Sequence, residues 1–328
     1  MSRVDAKARA FPCPQGVVSD QLIAWISAVV LVCLSASAQA NGVTIDSREY
    51  KLLLRPENFA GDPGARAAEF CDGRLKPIIA AHLDRRENGE SRAKKSFALH
   101  HQRRVSFKDT ADCILSTTGF SYRERTLMAT DAGATGNVET TLKFRSPDIF
   151  LSAASRFEGS EGAKSKFEED ISIAQGAVSR SGYSYSISRK QPAGSLATSL
   201  QSALEAFPGS LQWLESLPAT QPRPEALLGT GTVFAELVYS KARVDLGSDT
   251  DGEFDLTFWY PSDAANRDRP TVVEISFGYE TDSGEVDGKV ALRASKLFAA
   301  MRNELSALIA PGTQSKTSRA LPTNCREN

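Results

Sequence analysis

Charge repeats at every second residue in segment after segment of this chain. In "VTIDSREYKLLL", Ser47, Glu49 and Lys51 fall on one strand face. In "TTLKFR" it is Thr141, Lys143 and Arg145, and in "AKSKFEEDI" it is Lys166, Glu168 and Asp170. Lys241 and Arg243 in "VYSKARVDL" and Glu253 and Asp255 in "EFDLTFWY" repeat the pattern. In "VVEISF", Glu274 and Ser276 share one side while Val273, Ile275 and Phe277 take the other. Side chains alternate across a strand, so each segment separates a charged face from an apolar one.

Two folds accommodate this. An open antiparallel sheet with one wet face carries scattered charges without consequence. A sheet closed on itself turns the charged face inward and covers its apolar outer face with helices, and a barrel wide enough holds a ligand. The recurrence of the pattern favours closure. The inward bases are then Lys51, Arg123, Arg125, Lys143, Arg145, Lys166, Lys241 and Arg243, and the inward acids Glu49, Glu168, Asp170, Asp255 and Glu274. Guanidinium and ammonium groups bind phosphate oxygens. Carboxylates hold Mg2+ or Mn2+, which bridge to those oxygens. The lining therefore suits a polyanion with divalent cations.

Strands are expected over 43–54, 98–108, 119–129, 137–145, 164–174, 182–190, 232–244, 253–260 and 271–279. Helices are expected over 65–85, 110–117, 195–206 and 288–310. In the last, Val290, Ala294, Leu297, Met301, Leu305 and Leu308 recur at steps of three and four and make one apolar face. The class is α+β, mainly β. Residues 217–231 read as a Pro/Gly loop and 311–328 as a flexible tail. Asp109 and Thr110 either cap the short helix or touch substrate. His100 and His101 are adjacent on a strand and point apart, which suits a basic rim better than a metal site. No Walker loop, G-x-S-x-G or H-E-x-x-H is present.

Ahead of the folded part, residues 1–40 have the form of a signal peptide. Arg3, Lys7 and Arg9 lead the apolar run "LIAWISAVVLVCL", and "SASAQA" follows. The run is too short for a membrane span of about 20 residues, so no stable span is expected after cleavage. The expected location is periplasmic or secreted, with the main domain over 41–310. The formal net charge of −1 gives none of the basic excess of a nucleic-acid binder. Cys71, Cys113 and Cys325 remain after cleavage. Cys113, in the apolar turn "CIL", reads as a buried thiol, and Cys71 with Cys325 is a weak bridge alternative to free thiols.

The stretch "FKDTADCILSTTGFSYRER" resembles the CYTH superfamily, the triphosphate tunnel metalloenzymes. Phe107, Asp109, Thr110, Asp112, Leu115, Gly119, Arg123 and Arg125 stand in the places of its aromatic, Asp-Thr, Asp, Leu, Gly and Arg-x-Arg pattern. "SREYKL", "TTLKFR", "KSKFEED", "KAR", "FDL" and "VVEIS" follow in the family's order, so the likeness spans about 43–280.

The resemblance implies an eight-stranded antiparallel tunnel that binds triphosphate compounds, with basic residues on the phosphates and acids on the metal. It implies catalytic roles for Glu49 and Lys51. It implies phosphate contacts from Arg123, Arg125, Lys143, Arg145, Lys166, Lys241 and Arg243. The implied metal ligands are Glu49, Glu168, Asp170, Asp255 and Glu274. The family's first E-x-E begins with Ser47 here and its closing E-x-E ends in Ser276, so two carboxylates are missing. The expected function is an exported, metal-dependent triphosphatase or polyphosphatase. The alternatives are a tunnel that binds polyphosphate without cleaving it, and a structural module whose charges pair among themselves.

Overall fold

The computed structural model describes residues 43–128, 136–173, 179–218, 220–262, 268–312 and 314–326. The expected leader, 1–40, lies outside them. Nine strands form one closed wall: β1 (Ser47–Leu54), β3 (Ala98–Thr110), β4 (Phe120–Leu127), β5 (Asn137–Ser146), β6 (Lys164–Ile173), β7 (Ser179–Pro192), β9 (Phe234–Ser240), β11 (Thr250–Pro261) and β12 (Val272–Glu280). Their order is β12-β1-β6-β7-β5-β4-β3-β9-β11, and β11 pairs β12 to close the ring. Three short strands, β2 (Ala93–Lys94), β8 (Leu228–Thr230) and β10 (Arg243–Gly247), attach outside this ring.

Nine strands, as the alternation indicated, replace the eight that the resemblance implied. The ring is also mixed, because β1 runs parallel to β6. That parallel pairing sets Ser47 opposite Glu168 and Glu49 opposite Asp170. Closure leaves the ring no exposed edge.

The apolar outer faces are covered on two sides. A helical run, α1, comprises Pro63–Phe70, one π turn Cys71–Leu75, and Lys76–His82. It packs with α6 (Gly288–Glu304) over Tyr50, Leu52, Leu246, Phe254 and Phe277. Tyr50 stacks on Phe277 with ring centres 4.8 Å apart and meets Phe298 of α6 at 5.1 Å. Val290, Ala294, Leu297 and Met301 are buried on α6, as the spacing predicts, but the helix ends at Glu304 rather than 310, and Leu308 falls in a following short turn. α1 lies on the outer wall.

The second cover is α4 (Leu200–Glu205) with α5 (Ser210–Ser216), which bury Leu204, Phe207 and Leu214 against Tyr122, Leu142 and Phe144. Each such side chain removed from water is worth about 1.5–3 kcal/mol. With apolar faces committed outward on both sides, strand alternation leaves the charges inside.

Two short helices finish the ends. α2 (Ile114–Thr117) follows β3, and buried Asp109 accepts hydrogen bonds from the backbone N–H groups of Thr110, Leu115 and Ser116. Thr110 Oγ1 accepts from Ile114 N. The Asp-Thr pair therefore caps the helix. Gly119 then turns the chain at φ +86°, and a Cβ there would lie 2.4 Å from the Arg145 carbonyl oxygen, so this position requires glycine. α3 (Ile149–Ala154), not anticipated from the sequence, is capped by Asp148.

The C-terminal segment departs most from expectation. α7 (Lys316–Ala320) and Cys325 follow the barrel, and Cys325 is disulfide-bonded to Cys113. Ala320, Leu321 and Cys325 pack with Val105, Phe107, Phe234, Trp259 and Val272 from the inner face of one barrel end. The bridge is thus Cys113–Cys325, and Cys71 is the buried free thiol of α1. Cys71 is committed to the outer apolar layer, whereas Cys113 sits at the barrel end where the tail arrives. Closing a loop over a separation of 212 residues restricts the unfolded chain and stabilises by about 5 kcal/mol in the chain-entropy model. Among the described residues no helix is long and apolar enough to cross a membrane.

Candidate functional site: a charged tunnel

The tunnel lining divides into two charge groups. The first is built by β1, β5 and β6. Asp170, buried, receives Lys51 at 2.7 Å, Arg145 at 2.6 Å and Lys143 at 3.3 Å. Glu168 receives Lys166 at 2.9 Å and Lys143 at 3.3 Å, and Glu49 receives Lys51 at 2.9 Å. One carboxylate oxygen from each of Glu49, Glu168 and Asp170 lies within 4.8 Å of the others. β7 gives these long side chains room: Gly182, Ser184 and Ser186 stand opposite Asp170, Glu168 and Lys166 in the ladder.

Burial raises the Glu168 carboxyl, but Lys143, Lys166 and Lys51 outweigh it and hold the group at about 2. Asp170 is held well below the usual range: burial again opposes, and Lys143, Lys51 and Arg145 dominate. Lys51 is raised: burial works against its charge, and Glu49 and Asp170 overcome it.

A pH dependence follows from these signs. Depressed carboxylates contribute stability that is full above their unfolded values of about 4 and is lost as pH falls through the folded ones. Thermal melts of the wild type are expected to drop as pH falls from about 4.5 toward 2. In Glu168→Gln this drop should be shallower, with lower stability at neutral pH. An acid profile identical to wild type would show that Glu168 is not held by its lysines.

The second group is built by β3, β4 and β9. Arg123 and Arg125, two apart on β4, share the tunnel with Arg103 of β3, while Glu124 between them faces outward and pairs with Lys108 at 2.8 Å. Their main counter-charge is Glu236 of β9, 1% exposed. It pairs with Arg103, lies 3.6 Å from Arg125 Nε and accepts a hydrogen bond from Trp259 Nε1 at 3.0 Å. Arg125 also reaches Glu139 at 3.8 Å. Arg123 donates to Thr141 Oγ1 at 3.1 Å, and its Nε and that of Arg125 are buried without a hydrogen-bond partner.

Burial, and then the neighbouring Arg125, pull Arg123 down to about 9. Arg125 is lowered by burial too, despite Glu236. Both stay charged at neutral pH. Three guanidinium groups around one deeply buried carboxylate form a cationic site short of negative charge.

Several expected residues lie elsewhere. Lys241 and Arg243 are not tunnel bases. The expected strand 232–244 breaks at Lys241, whose φ of +82° ends β9, and Lys241 is exposed. Arg243 continues in β10 at the rim, paired with Glu253. Asp255 and Glu274 are outside the Glu49–Glu168–Asp170 group. Asp255 is exposed and accepts from Ser240, and Glu274 pairs with Lys316 of the tail at 2.5 Å. Ser47, where an acid was missing, donates to Glu168 at 3.4 Å.

Arg103, Glu236 and Lys316 were not anticipated. For Glu236 a signal existed, since it is the lone charge in "FAELVY". For Lys316 none did, because it lies in a segment with no strand or long-helix pattern that docks on the barrel through long-range contacts.

No family model matches this chain, and no curated protein does. Solved structures do. It resembles two of cyclase type. One is HpAC1 from Hippeastrum, a candidate adenylyl cyclase described as having a dominant triphosphatase activity. It is 15% identical, covering 82% of this chain and 92% of that one, at a TM-score of 0.35. The other is a candidate adenylate cyclase from Bacillus halodurans. It is 11% identical, covering 84% of this chain and 98% of that one, at a TM-score of 0.33. At these scores the likeness adds no weight to any activity, and the tunnel's chemistry follows from its own residues.

Proposed function

We propose that this chain binds a linear inorganic triphosphate or polyphosphate inside the tunnel and hydrolyses it with the help of a divalent cation. The observation that carries the reading is the pair of opposed charge groups in one closed space. The arginines Arg103, Arg123 and Arg125 lack full neutralisation, and the carboxylates Glu49, Glu168 and Asp170 converge nearby. Arg123 and Arg125 grip phosphate oxygens through charge-assisted hydrogen bonds. Lys143, Arg145 and Lys166 neutralise charge on the remainder of the chain.

Glu49, Glu168 and Asp170 offer hard oxygen donors close enough to share one ion, which fits Mg2+ or Mn2+. Such an ion supplies charge neutralisation on phosphate oxygens and lowers the pKa of a bound water. Lys51, between Glu49 and Asp170, pairs with both carboxylates and positions them. Donors fixed in advance around a phosphate chain stabilise the charge that shifts during phosphoryl transfer. The leader pattern and the Cys113–Cys325 bridge support action in an oxidising, extracytoplasmic compartment. There inorganic chains are a more available substrate than nucleotides, and an enclosed lining on a near-neutral protein does not suit nucleic acid.

A second reading is favoured by the pairing itself: every acid of the trio has a basic partner, and Glu274 has Lys316. On this reading the tunnel captures the chain without metal and without cleavage. Phosphate release from inorganic triphosphate, measured with Mg2+, with Mn2+ and with chelator, separates the two. Metal-dependent release is the expected result. No release alongside tight binding would establish capture, and neither release nor binding would sink both.

A further inference from the structure

The two ends of the tunnel differ in charge. At one end a cavity of about 500 Å3 is lined by Lys51, Lys143, Arg145, Arg180 and Lys316, with Asp170 and Glu274 as its acids. At the other, Glu49, Glu168, Asp251, Glu253, Asp255 and Glu280 outnumber Arg48 and Lys166. A polyanion is drawn to the first end and repelled by the second. The basic end is also where the C-terminal segment docks. Leu321 and Cys325 fill part of the barrel opening among Phe107, Phe234 and Trp259. Lys316 stands over the Trp259 ring at 5.4 Å, contacts Glu274, and lines the same cavity as Lys51 and Arg145.

We propose that Lys316 is a ligand-binding residue of the basic mouth, contacting phosphate oxygens of the incoming chain, and that the Cys113–Cys325 disulfide is what holds it there. An ammonium carries three donors, so one can remain on Glu274 while another serves a phosphate oxygen. Nothing on β12 or β11 supplies a base at this part of the lining, which holds Thr257, Trp259, Glu274 and Ser276. The tail delivers the missing charge. Besides the bridge, the segment is held by the apolar contact of Ala320 and Leu321, by Asn324 on the Ala111 carbonyl and by Arg326 on Thr232, and the bridge is the one covalent tie among these.

This inference depends on the phosphate-chain reading, and the experiment keeps the two apart. Inorganic triphosphate is titrated calorimetrically into the full chain in chelator, using wild type, Arg123→Met, Lys316→Met, Lys316→Arg and the double variant Lys316→Met/Glu274→Gln. Lys316→Met is expected to weaken binding by about tenfold or more, the loss of one charge-assisted contact. Lys316→Arg should stay within about threefold of wild type, since the cation is kept. The double variant separates contact from neutralisation: it should remain about tenfold weak. Recovery to wild-type affinity would show that Lys316 only screens Glu274 and would overturn the proposal. Cys113→Ser/Cys325→Ser, or wild type held in dithiothreitol if that variant does not fold, should match Lys316→Met. Wild-type affinity after loss of the bridge would overturn the disulfide's part. If wild type and Arg123→Met both fail to bind triphosphate, the failure lies with the phosphate-chain reading itself.

Discussion

Arg123→Met is expected to lower the affinity for inorganic triphosphate by about 100-fold, the scale of losing a hydrogen-bonded charge pair of about 1.5–3 kcal/mol. The same substitution should make the ligand-free protein more stable. Arg123 is enclosed beside Arg125, and among the described residues its side-chain hydrogen bond is to Thr141. Methionine fills similar length without charge, so repulsion within the arginine group falls. A gain of about 1 kcal/mol would raise the melting temperature by about 2 °C in a chain of this size. Calorimetric titration and a thermal melt on the same preparation check both halves. Unchanged affinity would remove Arg123 from the ligand site. A lower melting temperature would show that Glu236 and Glu139 already neutralise the group.

Asp170→Asn should act in the opposite sense. Asp170 is the shared partner of Lys51, Lys143 and Arg145, and removing its charge leaves three cations close together. Breaking a buried pair costs about 3–5 kcal/mol, and the partial exposure of Arg145 and Lys51 reduces this to about 2–3 kcal/mol. Metal-dependent phosphate release should vanish, because the Glu49–Glu168–Asp170 group loses a member. Metal-free triphosphate binding should tighten, because the lining becomes more positive. A variant that melts like wild type and still releases phosphate with Mg2+ would show that Asp170 neither organises the bases nor contributes to a metal site.

Much of this arrangement was legible in the sequence because strand alternation is local. Each of "SREYK", "TLKFR" and "KSKFEED" states which of its side chains share a face, and closure then brings Glu49, Lys51, Lys143, Arg145, Glu168 and Asp170 together. The inward direction was legible because α6 carried an apolar face that needed a wall to cover. What was not legible depended on long-range events. The parallel contact of β1 with β6 joins residues 121 positions apart, and no local pattern announces it. The left-handed turn at Lys241 moved Lys241 and Arg243 out of the tunnel, although the alternation ran through them unbroken. Lys316 is nine residues before Cys325, in a segment that reads as a loose tail but docks on the barrel and is bonded to Cys113, and it supplies a charge to the interior.

On the proposed reading the tunnel recognises a linear chain of phosphates. The most direct measurement is a calorimetric titration of the wild-type protein in chelator with inorganic triphosphate, set beside monophosphate and sulfate at the same ionic strength. The predicted result is one saturable site for triphosphate, with monophosphate and sulfate at least about 100-fold weaker because each spans too few of the bases. Equal affinity for all three anions, or no heat with any of them, would contradict it and leave the charges of the tunnel paired only with one another.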